Sequence, residues 1–147
     1  DEVSQDILYY LYQPLIGASC LNTYMNLYIE AKCMSRFLQP SLMSRLVSLS
    51  GYSLLDLETY IKKLEAIGLL KTFVRNEDGL TYYIFQILSP LSLKQFLNNP
   101  ILSTLLIDAL SLDEYNKTMN EGEIGDGEID AYICRVSEIV LRTRCDQ

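Results

Sequence analysis

Histidine is absent from this 147-residue chain, which removes the side chain most used as a general base near neutral pH. Ser–His and Cys–His nucleophilic pairs are excluded with it. The carboxylates that remain fall on solvated helix faces and in turns, so no catalytic residue is assigned and no enzyme is expected. The four cysteines, Cys20, Cys33, Cys134 and Cys145, have irregular gaps and no C-x-x-C pair, which argues against a zinc site or a redox couple. Cys20 and Cys33 lie within or beside an amphipathic segment and read as small buried thiols in a reducing compartment.

Other signals are missing too. No stretch reaches the roughly 18 apolar residues of a membrane span, and no signal-type start is visible. A cytoplasmic location is expected, with any membrane association running through partners. The chain opens on Asp1 rather than methionine, as a piece of a longer protein would. There is no Walker-type phosphate cradle, since Gly125-Asp126-Gly127 is short and flanked by acids that repel phosphate. The acids Glu121, Glu123, Asp126, Glu128 and Asp130 do not follow the twelve-residue calcium-loop pattern. No metal and no cofactor is expected.

Basic charge is also scarce. Twelve Lys and Arg stand against 19 Asp and Glu, a formal charge of −7. Residues 1–119 hold 12 acids and 9 bases, and residues 120–147 hold 7 acids and 3 bases. Neither part offers the basic surface that grips a polyphosphate backbone by counterion release. What is present is ordinary globular composition, 49% hydrophobic and 21% charged, at a length suited to one domain.

Apolar residues at helical spacing predict a helix from Val3 to Leu11, interrupted by Pro14 and Gly17. A second helix, Ala18 to about Lys32, shows a stripe of Leu21, Tyr24, Met25, Tyr28 and Ile29, with Asn22, Asn26 and Glu30 facing away. Pro40 opens a short third helix that buries Leu42, Met43, Leu46 and Val47 and stops at Gly51. Ser53 caps a fourth, with Asp56 three residues on. Its buried face is Leu54, Leu57, Ile61 and Leu64, and Gly68 closes it. A hairpin comes next, Leu69–Val74 and Leu80–Leu88, joined by a turn at Asn76-Glu77-Asp78-Gly79. Leu93, Phe96 and Leu97 mark a further turn or two of helix. Asn99-Pro100 starts a helix expected to bury Ile101, Leu102, Leu105, Leu106, Ala109 and Leu110. An acidic glycine-rich loop, 120–128, precedes a last helix from Ile129 to Leu141 with Ile129, Ile133, Val136 and Val140 on one side.

Helix, short helix, capped helix and two-stranded hairpin is the order of a winged helix. The fold class is therefore mainly α with a small β-hairpin, a winged helix with additional C-terminal helices. Residues 1–110 form the winged-helix domain with its following helices. Residues 111–147 form the acidic loop and C-terminal helix, expected to pack on the same domain. The second strand has Tyr82, Ile84 and Leu88 on one face and Tyr83, Phe85 and Ile87 on the other. Both faces are apolar, so later helices or a second copy must cover one of them. Tyr9, Tyr83, Phe85 and Ile87 are the candidate oligomer-interface residues. Lys62, Lys63, Lys71 and Arg75 are the candidate nucleic-acid contacts, opposed by Asp56, Glu58, Glu65, Glu77 and Asp78 on the same elements. Stacking of the eleven tyrosines on single strands would need a basic groove, so core or subunit-interface roles are expected for them, Tyr9, Tyr10 and Tyr12 included.

Three segments carry a resemblance: Leu11-Tyr12-Gln13-Pro14-Leu15-Ile16-Gly17, the run Leu64 to Phe73 (LEAIGLLKTF), and Pro90-Leu91-Ser92 with Phe96 and Pro100-Ile101-Leu102. In this order, over about residues 7–110, the chain resembles the N-terminal domain of the DnaB/DnaD-type replication initiation and membrane attachment proteins of low-GC Gram-positive bacteria. The resemblance implies a winged helix that self-associates as a dimer or tetramer within a primosome. It implies other primosome proteins and the replicative helicase as partners, with DNA contacted through another region of the full-length protein. It carries over no catalytic residue. The rival expectation is a winged-helix, sequence-specific DNA-binding transcription regulator, which would need Lys62, Lys63 and Arg75 on duplex DNA.

Overall fold

The computed structural model describes residues 4–34 and 43–121. The expected helix from Ile129 to Leu141, residues 122–128 of the acidic loop, Cys134, Cys145, Val3, Pro40 and Leu42 lie outside the described residues, while Asn120 and Glu121, expected in that loop, are helical.

The chain enters through α1 (Gln5–Ile7), a π-helical turn (Leu8–Tyr12) and α2 (Gln13–Ile16). Pro14 does not break this run, contrary to expectation. Proline has no amide hydrogen, and its ring presses on the carbonyl of the preceding turn. The preceding turn is widened instead, with the Gln13 amide donating to the Leu8 carbonyl five residues back, which is the local geometry of a π bulge. The run ends where Gly17 adopts φ 86°. Leu8, Leu11, Tyr12 and Ile16 are buried along it.

Helix α3 (Ala18–Met34) crosses the centre. Its buried residues are Cys20, Thr23, Tyr24 and Leu27, so the expected stripe is rotated by about one position. Ile29 is exposed, Leu21 and Met25 only pack at the edge of the core, and Asn26 is half-buried. Thr23 can be fully buried because its hydroxyl donates to the Ser19 carbonyl at 2.9 Å within the helix, leaving no unsatisfied polar atom. Helix α4 (Met43–Ser50) buries Leu46 and carries Arg45, which pairs with Glu30 of α3 at 3.0 Å.

Helix α5 (Leu54–Ala66) is built from local rules. The Ser53 hydroxyl accepts from the Asp56 amide at 3.1 Å. At the other end the Leu69 amide donates to the Leu64 carbonyl at 2.9 Å and that of Gly68 to Glu65 at 3.2 Å. This is a Schellman closure, and it needs the positive φ of Gly68, 83°. Leu57, Ile61 and Leu64 are buried, but Leu54, in the first turn, is 48% exposed.

Strands β1 (Leu70–Glu77) and β2 (Leu80–Ile87) pair antiparallel from Leu70↔Ile87 to Glu77↔Leu80. The turn is shorter than expected, only Asp78-Gly79, with φ of 53° and 76°. Two successive positive φ values define the type I′ turn whose twist suits a two-residue hairpin, so Asn76 and Glu77 join the ladder. Helix α6 (Leu93–Asn98) starts with a reciprocal box, Ser92 and Gln95 each accepting from the other's amide, and buries Phe96. Helix α7 (Pro100–Glu121) is capped by Asn99, whose side-chain oxygen accepts from Ile101 and Leu102, and is broken at Ser111. Leu106 is buried and Leu102 and Leu110 half-buried, but Ile101, Leu105 and Ala109 are exposed, so one side of α7 lacks the cover expected for it.

Two tyrosines tie the hairpin's exit to the helices. The Tyr24 hydroxyl donates to the Leu88 carbonyl at 2.7 Å, and the Tyr12 hydroxyl accepts from the Leu91 amide at 3.0 Å. Both rings are buried, and Tyr12 meets Phe96 edge to face with centroids 5.2 Å apart. Burial, then the neighbouring Tyr28 and Tyr12, pushes the Tyr24 hydroxyl from 10.0 up to about 12. Among the described residues no helix is long and apolar enough to cross a membrane.

Removing one hydroxyl while leaving its carbonyl partner inside costs about 1–3 kcal/mol. Tyr24→Phe should therefore lower the urea midpoint, whereas exposed Tyr9→Phe should not. A raised folded pKa means the folded state holds its proton more tightly, so this stability is present below pH 10 and is lost as pH rises toward 12. Wild type should lose stability over that window more steeply than Tyr24→Phe.

Cysteine reactivity gives a second check. Cys20 is buried, its thiol donates to the Tyr60 carbonyl at 3.4 Å, and burial pushes its pKa up to about 11. Cys33 is exposed, not buried as expected, because the α3 stripe has turned away from it. Iodoacetamide at pH 8, read by peptide mass spectrometry, should label Cys33 in the folded protein and Cys20 only after denaturation.

Candidate interaction surfaces

In a winged helix the third helix of the core and the hairpin are the elements that meet a duplex. Here that helix is α5. Burial of Leu57, Ile61 and Leu64 turns Leu55, Thr59, Lys62 and Ala66, spaced by four, three and four, outward along one row. Glu58 borders the row. Leu55 is 73% exposed, at a position where the helical pattern favours a polar side chain, and the Thr59 hydroxyl is turned back onto the Leu55 carbonyl at 3.2 Å. One lysine and one glutamate leave this face without net charge.

The four candidate nucleic-acid residues do not converge on one face. Lys62 lies on the outward row of α5. Lys63 sits further round the helix, at the rim of an apolar groove beside α2. Lys71 and Arg75 lie on one side of β1 with Phe73 and Glu77. Arg75 is engaged within its own hairpin, 3.2 Å from Glu77 and 5.5 Å from the Tyr82 ring centre. Both members of that ion pair are more than half exposed, so it adds little stability, but it offsets the charge a phosphate would need.

The hairpin has one covered and one open side, and the open side is not the one expected from sequence. Leu70, Thr72, Phe85 and Ile87 share the side that meets the helices. Leu70 is buried, and Phe85 and Ile87 are half-buried against the core. Tyr83 lies on that side but near the tip, where it is 60% exposed beside Val74. The opposite side carries Phe73 paired with Ile84, both about half exposed, and Leu80 at the turn. Phe85 and Ile87 are thus wing-base core residues, while Phe73, Leu80 and Ile84 form an apolar patch, beside Lys71, Arg75 and Glu77 on the same side, that alternation alone did not single out. Tyr9 is exposed on the π turn, edge to face with Tyr10, while Tyr12 has gone into the core.

The groove, about 660 Å³ in volume, runs between α2, the α5–β1 turn and the start of α7. Leu15, Ile67, Leu91, Ile101, Leu102 and Leu105 make it mostly apolar, with Lys63 and Glu65 at its rim. The sequence pattern did not reveal it, because hydrophobicity alone assigns Ile101 and Leu105 to the core.

Residues 2–134 match the model of the DnaB N-terminal winged helix domain. The chain belongs to that family. It is 34% identical over 109 residues to the replicative helicase loading/DNA remodeling protein DnaB of Staphylococcus aureus, covering 69% of this chain and 22% of that protein. It is also similar to the crystal structure of primosome protein DnaB, residues 1–300, from Geobacillus stearothermophilus, with TM-score 0.77 and 29% identity. That likeness covers 93% of this chain and 53% of the other. The chain therefore spans about a fifth of one DnaB relative and about half of the other.

A neutral outward row on α5 and scattered cations predict weak duplex binding by this DnaB-type domain. A gel shift of random and mixed duplexes should show no steep loss between about 50 and 200 mM salt of the kind several phosphate contacts produce. Lys62→Ala with Lys71→Ala should leave the weak affinity unchanged.

Proposed function

We propose that this chain is the assembly domain of a replication initiation protein, a non-enzymatic scaffold that joins its own copies and other primosome proteins and so helps recruit or load the replicative helicase. The open apolar side of the hairpin, Phe73, Leu80 and Ile84, carries this reading. A two-stranded wing with apolar residues exposed on its outer side has surface to bury against protein, and the leucine-tipped row of α5, where Glu58 offsets Lys62, favours protein over a polyanion. The family supports the same direction, since its relatives are named for helicase loading and for the primosome. DNA contact, on this reading, belongs to another region of the full-length protein, and the domain works in the cytoplasm.

Light scattering after size exclusion, over a range of concentrations, tests the self-association. The chain should be a dimer or tetramer at tens of micromolar, and Phe73→Lys or Ile84→Lys should yield monomers that unfold within about 0.5 kcal/mol of wild type diluted until it dissociates, as surface substitutions do. Phe85→Lys should instead destabilise the fold, because Phe85 packs against the core. Pull-down with purified replicative helicase and primosome proteins tests the partners. A monomer that captures none of them defeats the proposal. Duplex affinity lost on Lys62→Ala would point to the sequence-reading regulator instead.

A further inference from the structure

No strand residue lines the apolar groove at the start of α7, and the assembly reading does not use it. Ile101 is 70% exposed and Leu105 46% exposed along one wall, with Leu15, Ile67 and Leu91 opposite. The cap at Asn99 and the buried Leu106 hold this wall in place, so the groove is preformed.

We infer that the segment 129–141 of the same chain docks in this groove. Its apolar residues Ile129, Ile133, Val136 and Val140 are spaced by four, three and four, the single stripe a helix lays into an apolar groove. Arg135, Glu138 and Arg142 fall on the opposite side of such a helix, where water would meet them. The reach is sufficient. Glu121 lies sixteen residues after Leu105, about 24 Å along an unbroken helix, and the break at Ser111 bends that path. The eight steps from Glu121 to residue 129 span up to about 28 Å when extended, enough to return residue 129 to the groove. Six of the seven residues 122–128 are glycine or acid, with Ile124 the one apolar side chain, a composition that suits a linker. The family match also continues beyond α7 to residue 134, so the domain pattern includes the beginning of this segment. The same chain is favoured over a second copy because a short tether holds the segment at high local concentration.

The test uses the full chain with Cys33, Cys134 and Cys145 replaced by serine and Cys20 left buried. Leu105→Cys with Ile133→Cys should be joined by a short bismaleimide into a cross-linked monomer, read by non-reducing gel and peptide mapping. Leu55→Cys with Ile133→Cys, on a different face of the domain, should remain unlinked. Covalent dimers joined through positions 105 and 133 would mean that a second copy fills the groove, and would overturn the inference, as would no link above the control pair. Independently, Leu105→Asp and Ile133→Asp should each lower the urea midpoint, with the double variant no lower than the more damaging single one. Fully additive losses would overturn the inference as well.

Discussion

Two phenol hydroxyls hold the wing to the helices. The chain leaving β2 runs within reach of Tyr24 of α3 and Tyr12 of the N-terminal run, and its backbone groups there cannot all bond to a sheet that has only two strands. Tyr24 satisfies the Leu88 carbonyl and Tyr12 the Leu91 amide. Tyr12 also stacks edge-on against Phe96 of α6, so one side chain joins the N-terminal run, the wing's exit and the C-terminal helices. The orientation of the hairpin, and with it which side remains open, depends on these contacts.

This arrangement separates two roles that sequence alone merges. The elements governed by nearest neighbours were legible. Ser53 and Asp56 marked the start of α5, Gly68 its end, and Asn76-Glu77-Asp78-Gly79 the place of the hairpin turn, though not its two-residue length, because caps and turns depend on residues three or four apart. The order of those elements was enough to suggest a winged helix. The facing of α3 was not legible, because a buried Thr23 violates the polarity pattern and is tolerated only through its bond to Ser19 within the helix.

The surfaces were harder to read than the fold. Alternation in β2 showed two apolar sides but contains no information on which one meets the helices, a matter settled by Leu70 and the tyrosine clasps. The same limit applies to α7, where Ile101 and Leu105 share hydrophobicity with Leu106 but not its burial. Among the candidate cations, Arg75 lies on the wing as its place in the sequence suggests, but its engagement with Glu77 and Tyr82 depends on rotamers and not on spacing.

The π turn ahead of Pro14 bears on more than hydrogen bonding. A helix has phase as well as direction, and one additional residue in a turn rotates everything on its N-terminal side by about 100° relative to the helix beyond it. Along this widened run Leu8, Leu11 and Tyr12 face inward while Tyr9 and Tyr10 stand together outside. A relative that lacks proline here and closes the turn as ordinary α-helix would present a different part of its N-terminal run to solvent, even with every other side chain unchanged.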